Sequence, residues 1–222
     1  SIPCVKEAMK FIQEDERNTI EEQKELVLIE APTREEEKRA AVMMEKFKAL
    51  GLENVHIDRG GNVVGLRRGS GKGPKVLIEG HLDTVFTFGT VHGVEERDGF
   101  LYAPGIGDDT RALAMLLGLL RALNQNEIKT FGDIVFVATT REEGMGGLGG
   151  MKDFLNDNDD IDISVVKGYV NVKCGKCHLR SNSIVGGGSH KITVVREKSK
   201  ALKIYIDRQL DSSGYDSRAK AK

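Results

Sequence analysis

The residues with the clearest chemical potential begin with a histidine and an aspartate two positions apart, His81 and Asp83. At the end of a strand, residues i and i+2 point to the same side, so the imidazole and the carboxylate would share one cleft. A carboxylate beside an imidazole orients a metal-binding histidine and strengthens it as a ligand. Because such a pair is more often a surface hydrogen bond, it indicates a metal site only together with other clusters.

Two further clusters are pairs of adjacent acidic residues. Asp108 and Asp109 precede an apolar helical pattern, where an aspartate commonly serves only as a helix cap. Glu142 and Glu143 follow an apolar run, and neighbouring carboxylates in a cleft repel each other unless a cation or a shared proton relieves them. A solvated loop is the alternative explanation for the second pair.

The coincidence of the three clusters at strand ends of one predicted sheet favours a cation site over three separate structural explanations. Histidine and carboxylate ligands suit zinc, with cobalt or manganese as substitutes. Two metal ions bridged by one carboxylate would use the available oxygen atoms well. We therefore expect the side chains of His81, Asp108 and Glu143 to converge within a few ångströms, with Asp83 behind His81.

The segments that must position these clusters alternate between strand and helix patterns. Residues 76–78 form a short apolar run typical of a strand in the middle of a sheet covered on both faces. Residues 110–123 are apolar almost all round and predict a buried helix, residues 134–138 predict a second buried strand, and residues 146–155 predict another helix. This order predicts an α/β fold, a three-layer αβα arrangement with a mostly parallel sheet, in which ligands bind at the carboxyl ends of the strands.

The N-terminal part adds helices and a hairpin to this core. Apolar spacing over residues 7–30 predicts one or two amphipathic helices. Thr33 and Glu36 predict a capping box for the next helix, which ends at Gly51. Two strand-like runs on either side of Gly60-Gly61 predict a β-hairpin.

The character of the chain changes near residue 180. We interpret residues 1–180 as one domain and residues 181–222 as the start of a smaller α+β domain with a disordered tail. Alternating patterns at residues 190–195 and 202–206 predict two half-buried strands there.

Composition excludes several classes of protein. The 33 basic and 34 acidic residues give a net charge of −1, which argues against binding nucleic acid or an anionic membrane. No apolar run is long enough to span a membrane. Three cysteines, and a start without a basic and then an apolar segment, predict a reducing, cytoplasmic location.

These motifs resemble those of a known family, the co-catalytic zinc metallopeptidases that include aminoacylases, carboxypeptidases and acetylornithine deacetylases. EGHLDTVF is similar to the family's first metal motif, DGFLYAPGIGDDTRALAMLLGLLRAL to its second and VATTREEGMGGLGG to its third. The resemblance runs from about Glu36 to Phe154, and weakly through His190.

The resemblance implies a role for each site residue. His81 matches a ligand of one zinc ion, and Asp83 matches the carboxylate that orients it. Asp108 matches the aspartate that bridges both ions, Glu142 the general base, and Glu143 a ligand of the second ion. The neighbouring residues at positions 109 and 111, an aspartate and an arginine, match variable positions and receive no catalytic role.

The activity implied by the resemblance is hydrolysis of an amide bond in a small peptide or an N-acyl amino acid. Metal-activated water attacks the carbonyl, while Glu142 takes the proton of the water and passes it to the leaving amine. The substrate would lie between the catalytic domain and a lid, and a homodimer could form through the lid domain.

The sequence departs from the family's pattern in its later part. Residues 186–194 resemble the first lid strand, but the returning segment that supplies a last histidine ligand is not recognisable. A further acidic ligand is expected near residues 166–168, where Lys167 stands, and neither Asp160 nor Asp162 matches. We therefore expect weaker zinc binding than in a complete family member, and the alternative function is that of a fragmentary or inactive homologue acting as a binding or interaction module.

A separate motif contains Cys174, Cys177 and His178. Its spacing matches c-type haem attachment, and its two thiols could also bind zinc. A turn with two free thiols is the simplest interpretation.

Overall fold

A computed structural model of the chain describes residues 3–73, 75–158, 178–179, 190–196 and 202–208. The chain divides into two compact units, Ser1–Ile161 and Asp162–Lys222. The candidate site residues all belong to the first unit.

The first unit begins with three helices. Helices α1 (Pro3–Glu14) and α2 (Glu16–Leu28) confirm the helical prediction for the N-terminal segment. Helix α3 (Glu37–Ala49) follows, and the chain leaves it through Gly51, whose φ of 80° is the left-handed conformation that favours glycine.

The predicted capping box at the start of α3 is wrong. The residue before the helix is Glu36, and no side-chain hydrogen bond caps this end. The hydroxyl of Thr33 instead donates to Oδ2 of Asp83 at 2.9 Å, and a hydrogen bond to an ionised carboxylate is stronger than one between neutral groups. The carboxylate of Glu36 accepts the backbone N–H groups of Arg34 and Arg141.

The remaining elements of this unit contain the strands and helices predicted around the three clusters, together with two short strands at residues 95–97 and 100–102 that were not predicted. In chain order they are β1 (Glu53–Ile57), β2 (Val63–Arg67), β3 (Val76–His81), β4 (Glu95–Arg97), β5 (Phe100–Tyr102), α4 (Thr110–Gln125), β6 (Ile134–Thr139), a short 3₁₀-helix (Gly144–Gly146) and α5 (Gly149–Asp157).

The central sheet has the strand order β1-β2-β6-β3. Strands β3 and β6 are parallel, and their last residues, His81 and Thr139, lie side by side. The hairpin of β1 and β2 is antiparallel, as predicted, and β2 also pairs antiparallel with β6. Among the described strands β3 pairs only with β6, and residues 76–78 are partly buried, so a position of these residues in the middle of the sheet stays a prediction.

Helices cover both faces of this sheet because the side chains of β6 alternate between them. Phe136 and Ala138 point into a large core shared with α2, α3 and α4. Val135 and Val137 point the other way and pack against Phe154 of α5. The α/β class and the three-layer arrangement are thereby confirmed.

The absence of a side chain at Gly80 allows β3 and α4 to approach closely. A Cβ atom at this position would lie 3.1 Å from Cβ of Ala112 and 3.3 Å from the backbone nitrogen of Leu113. This contact brings the start of α4 to the end of β3, where the carboxylate of Asp109 accepts the backbone N–H of His81 at 2.9 Å.

The second unit contains a three-stranded antiparallel sheet of β7 (His178–Leu179), β8 (His190–Arg196) and β9 (Leu202–Arg208). Strands β8 and β9 confirm the two strands predicted here. The boundary between the two compact units falls between residues 161 and 162 of the chain, whereas the sequence suggests a boundary at residue 180. Because residues 159–177 lie outside the described part, the boundary at 180 stays a prediction.

Several other predictions also fall on residues that the structure does not describe. They concern Lys167, the thiols of Cys174 and Cys177, and the C-terminal tail. Within the described ranges, every helix is too short or too polar to cross a membrane.

Candidate metal centre

His81 lies at the carboxyl end of β3, and its side chain is almost fully buried. Its Nε2 atom is 2.9 Å from Oδ1 of Asp108 and 3.8 Å from Oε2 of Glu142. Its Nδ1 atom is 3.0 Å from the backbone carbonyl oxygen of Asp83 and 3.5 Å from Oδ1 of the same residue. Burial alone would lower the pKa of His81, but the carboxylates of Asp108 and Asp83 outweigh it and raise the pKa to about 11.

Asp83 is fully buried and joins the first cluster to the third. Its Oδ1 accepts the backbone N–H of Glu142 at 2.9 Å, and its Oδ2 accepts the backbone N–H of Glu143 at 3.0 Å and the hydroxyl of Thr33 at 2.9 Å. Burial opposes ionisation, but hydrogen bonds from His81 and from these three donors lower the pKa of Asp83 below its usual value. The ionised carboxylate therefore fixes the backbone of the third cluster beside His81.

The third cluster presents two buried carboxylates. One oxygen of each, Oε2 of Glu142 and Oε2 of Glu143, is buried with no hydrogen-bond partner among the described residues. Burial raises the pKa of Glu142 to about 7, with Glu143 and Asp83 adding to the rise and His81 opposing it. Burial, and then the charge of Asp108, also raise the pKa of Glu143. Buried oxygen atoms without a donor are costly, so these two call for a proton or a cation.

Two sets of side chains could hold a metal ion, and both contain His81. The first combines His81 with Glu142 and Glu143, and the second combines it with Asp108 and Asp109. Within each set the ligand atoms lie within 4.8 Å of one another. Imidazole nitrogen and carboxylate oxygen are ligands of zinc and of related divalent ions. This donor set, together with the two unpartnered oxygens, fits a divalent metal ion.

Asp109 is the member of these sets to which the sequence assigned no role. Its side chain is almost buried, and its Oδ2 lies 3.8 Å from Nε2 of His81. Burial raises the pKa of Asp109 to about 7 against the opposing charge of His81. The adjacent pair of aspartates was a signal in the sequence, but the resemblance places position 109 among the variable positions of the family. The helix cap that an aspartate commonly provides does not form at the start of α4. Arg111, which also received no role, donates to Oε1 of Gln23.

The structure thus brings together all five residues that the sequence predicted for the site. Asp108 and Glu143 each join His81 in one of the two sets. Asp83 lies beside the imidazole and accepts a backbone N–H of the third cluster. Only Asp108 has a substantially exposed side chain, at 45%. The individual roles of these residues stay predictions.

A protein-family model described as peptidase family M20/M25/M40 matches residues 77–202, more than half of the chain. The chain belongs to this family. The resemblance drawn from the three motifs is thereby confirmed, and the matched segment contains every residue of the candidate metal centre.

Relatives of the M20 chain include named hydrolases and peptidases. A putative LysW-lysine/LysW-ornithine hydrolase from Pyrococcus abyssi is 35% identical over 121 residues, which cover 54% of this chain and 32% of the relative. Carboxypeptidase G2 from a Pseudomonas species is 32% identical over 100 residues, which cover 44% of this chain and 23% of the relative. The chain therefore spans about a third or less of the length of these curated relatives.

Solved structures show the same fold. Aminopeptidase PepT from Bacillus cereus superposes with a TM-score of 0.53 at 28% identity, over 60% of this chain and 38% of the aminopeptidase. Human carnosine dipeptidase 1 gives a TM-score of 0.58 at 19% identity, over 70% of this chain and 38% of the dipeptidase, and this match speaks for the fold alone.

Proposed function

We propose that this M20 chain carries the metal-binding and catalytic residues of a hydrolase that cleaves an amide bond in a small peptide or an N-acyl amino acid. The observation that carries the proposal is the convergence of one histidine and four carboxylates at the ends of β3, β6 and the start of α4, where two buried carboxylate oxygens have no donor within the described part of the chain. Relatives named as a hydrolase, a carboxypeptidase and an aminopeptidase support the same class of reaction.

His81, Asp108 and Glu143 are the proposed metal ligands, with Asp108 shared between two ions in a complete site. Zinc is the proposed metal, and cobalt or manganese suit the same donors. When bound, such an ion supplies a Lewis acid that lowers the pKa of water and polarises a carbonyl group. Asp83 orients His81, and its buried carboxylate stays ionised.

Glu142 is the proposed general base. Its carboxylate lies beside His81 but has one oxygen with no partner among the described residues, so it is available to accept a proton. A pKa raised to about 7 suits a group that takes a proton from the attacking water and then gives it to the amine nitrogen as the amide bond breaks.

The alternative is a fragmentary or inactive homologue that acts as a binding or interaction module. The observation that favours it is Lys167, which stands where the family pattern has an acidic ligand. The two proposals differ in one measurable property, because only the first requires amide hydrolysis. The cytoplasmic location and a homodimer formed through the second unit also stay predictions.

Two isosteric substitutions test the assignment. Glu142→Gln should retain bound metal while hydrolysis of N-acyl amino acids or dipeptides falls by about 10² to 10⁴, the usual contribution of a general base. Glu143→Gln should lose metal and activity together, because it removes a charged ligand. Metal content measured by elemental analysis, alongside initial rates, separates the two effects.

A matched control is Glu127→Gln, which changes a glutamate in the turn after α4 and should alter neither quantity. Equal metal loss in the Glu142 and Glu143 variants would overturn the division of roles. Bound metal without hydrolysis in the unmodified chain would support the interaction module instead.

A further inference from the structure

We infer that helix α3 positions the first and third metal motifs relative to each other through two buried charged side chains, Glu36 and Arg39. The consequence for metal binding rests on the proposed function, but the positioning itself can be measured without metal. Both residues lie outside the three motifs, and the proposed mechanism uses neither.

Glu36 holds the third motif. Its side chain is buried, and its Oε1 accepts the backbone N–H of Arg141 at 2.9 Å. The same oxygen accepts the backbone N–H of Arg34, also at 2.9 Å. Arg141 immediately precedes Glu142, so this contact fixes the chain where it leaves β6 and turns toward the site.

Arg39 holds the first motif. Its guanidinium is only 1% exposed and donates through Nη1 to the carbonyl oxygen of Leu82 at 2.6 Å and through Nε to that of Ile29 at 2.8 Å. Leu82 lies between His81 and Asp83, so a donor fixed to its carbonyl sets the backbone from which both side chains project.

Arginine is the residue whose geometry suits this contact. Its rigid guanidinium presents several donors in one plane, and it remains charged in a buried setting. Burial lowers the pKa of Arg39 to about 10, while the charge of Asp83 opposes that shift. The side chain is therefore still protonated at neutral pH, and its positive charge interacts with the carboxylate of Asp83.

The two contacts belong to one rigid element. Residues three apart in a helix lie on the same face, and Glu36 and Arg39 have this spacing at the start of α3. One contact reaches the chain after β3 and the other reaches the chain after β6. The helix therefore sets how far Asp83 lies from the N–H groups of Glu142 and Glu143, a distance on which the metal set of His81, Glu142 and Glu143 depends.

The experiment must separate positioning from general stability. Arg39→Met and Glu36→Met remove the polar groups and keep an unbranched side chain. Glu36→Gln keeps the Oε1 acceptor, and Arg39→Lys keeps a charge but can serve only one carbonyl well.

Matched controls lie at the other end of the sheet. Arg67 also donates to two backbone carbonyls, those of Leu123 and Ile128, and Asp133 also accepts a backbone N–H, that of Gly69. Arg67→Met and Asp133→Leu should lower stability without touching the site, because β6 runs its full length between Asp133 and the metal motifs.

Two readouts are measured on the full chain. The first is amide hydrogen exchange at Glu142 and Glu143 without metal, because these amides donate to Asp83. The second is titration with cobalt(II), followed by its visible absorption spectrum. Loss of an outer partner typically costs about 10- to 100-fold in metal affinity.

We expect both Met variants to exchange these two amides about tenfold faster than the unmodified chain, to bind cobalt at least about tenfold more weakly and to show an altered spectrum. Arg39→Lys should fall in between, Glu36→Gln should stay near the unmodified chain, and the controls should change neither readout. Equal effects in the controls, or no effect in the Met variants, would overturn the inference.

If the Met variants do not fold, the Arg39→Lys variant provides the test. Positioning by Arg39 would be refuted if this variant exchanged the amides of Glu142 and Glu143, and bound cobalt, as the unmodified chain does. If the unmodified chain binds no cobalt, the proposed function fails, and amide exchange alone then decides whether α3 positions the motifs.

Discussion

At the scale of single residues, Asp83 is the point on which the candidate site depends. One buried carboxylate lies beside the imidazole of His81 and accepts the backbone N–H groups of Glu142 and Glu143. The first and third motifs therefore form one hydrogen-bonded unit before any metal binds. A change at Asp83 should consequently alter the folded protein as well as its chemistry.

Asp83→Asn should destabilise the metal-free chain by about 1–3 kcal/mol. The new amide group can present only one oxygen, so one buried N–H, that of Glu142 or that of Glu143, is left facing an NH₂ donor. Urea unfolding in the presence of a chelator measures the loss. Asp98→Asn, an isosteric change at an exposed turn residue, should cost less than about 0.5 kcal/mol. Equal losses in the two variants would contradict the argument.

The sequence identifies the candidate residues better than it identifies their contacts. The spacing of His81 and Asp83 predicts that they share one side of a strand end, and the structure agrees. The hydrogen bonds from Glu142 and Glu143 to Asp83 depend on the parallel register of β3 and β6, which local sequence does not encode. Asp109 was missed because the resemblance places it at a variable position of the family, and its approach to His81 depends on the packing of α4 against β3.

At the scale of elements, local patterns predicted the helices and strands but not which side chain binds which partner. The hydroxyl of Thr33 has the right spacing for a cap, yet a buried carboxylate distant in sequence is its partner. A partner distant in sequence thus explains why the predicted cap does not form.

The loop after β3 is held by hydrogen bonds to one carboxylate, that of Glu30. Glu30 accepts the backbone N–H groups of Gly89, Thr90 and Val91 at 2.8–2.9 Å. These hydrogen bonds, led by those from Gly89 and Val91, lower the pKa of Glu30. A lowered folded-state pKa means that the stabilisation is complete above the unfolded-state value of about 4.3 and disappears as the pH falls through the folded-state value.

We expect amide protection factors at residues 89–91 to be constant near neutral pH and to fall as the solution is acidified below about pH 4. Glu30→Gln should remove this pH dependence and should expose Gly89 most, because Gly89 alone binds Oε2 while Thr90 and Val91 share Oε1. NMR-detected hydrogen exchange measures both effects. Protection that is independent of pH in the unmodified chain would show that Glu30 does not hold the loop.

At the scale of the whole molecule, the two apolar clusters found among the described residues lie in the first unit. Both apolar clusters on the two faces of the sheet are formed by residues between Leu26 and Leu155. The candidate metal centre lies in the same unit, although the family match extends to residue 202.

A chain that ends at Ile161 should therefore fold on its own. We expect one cooperative urea transition with a midpoint close to that of the full chain, because the buried apolar surface of the first unit is retained. Far-UV circular dichroism follows the transition. Cobalt binding by this fragment should match that of the full chain if the described residues supply the ligands. A broad, non-cooperative transition would show that residues after 161 complete the first unit.

The uneven exposure of the site has a consequence for the kinetics of ion exchange. His81, Asp83, Asp109 and Glu142 have side chains no more than 9% exposed, whereas Asp108 is 45% exposed. An incoming ion meets the Asp108 carboxylate first, and a departing ion leaves past it last. We expect the residence time of a bound ion to depend on how fast this one side chain releases it, so that Asp108→Asn would accelerate capture of the ion by an external chelator more than it alters the buried framework of the site.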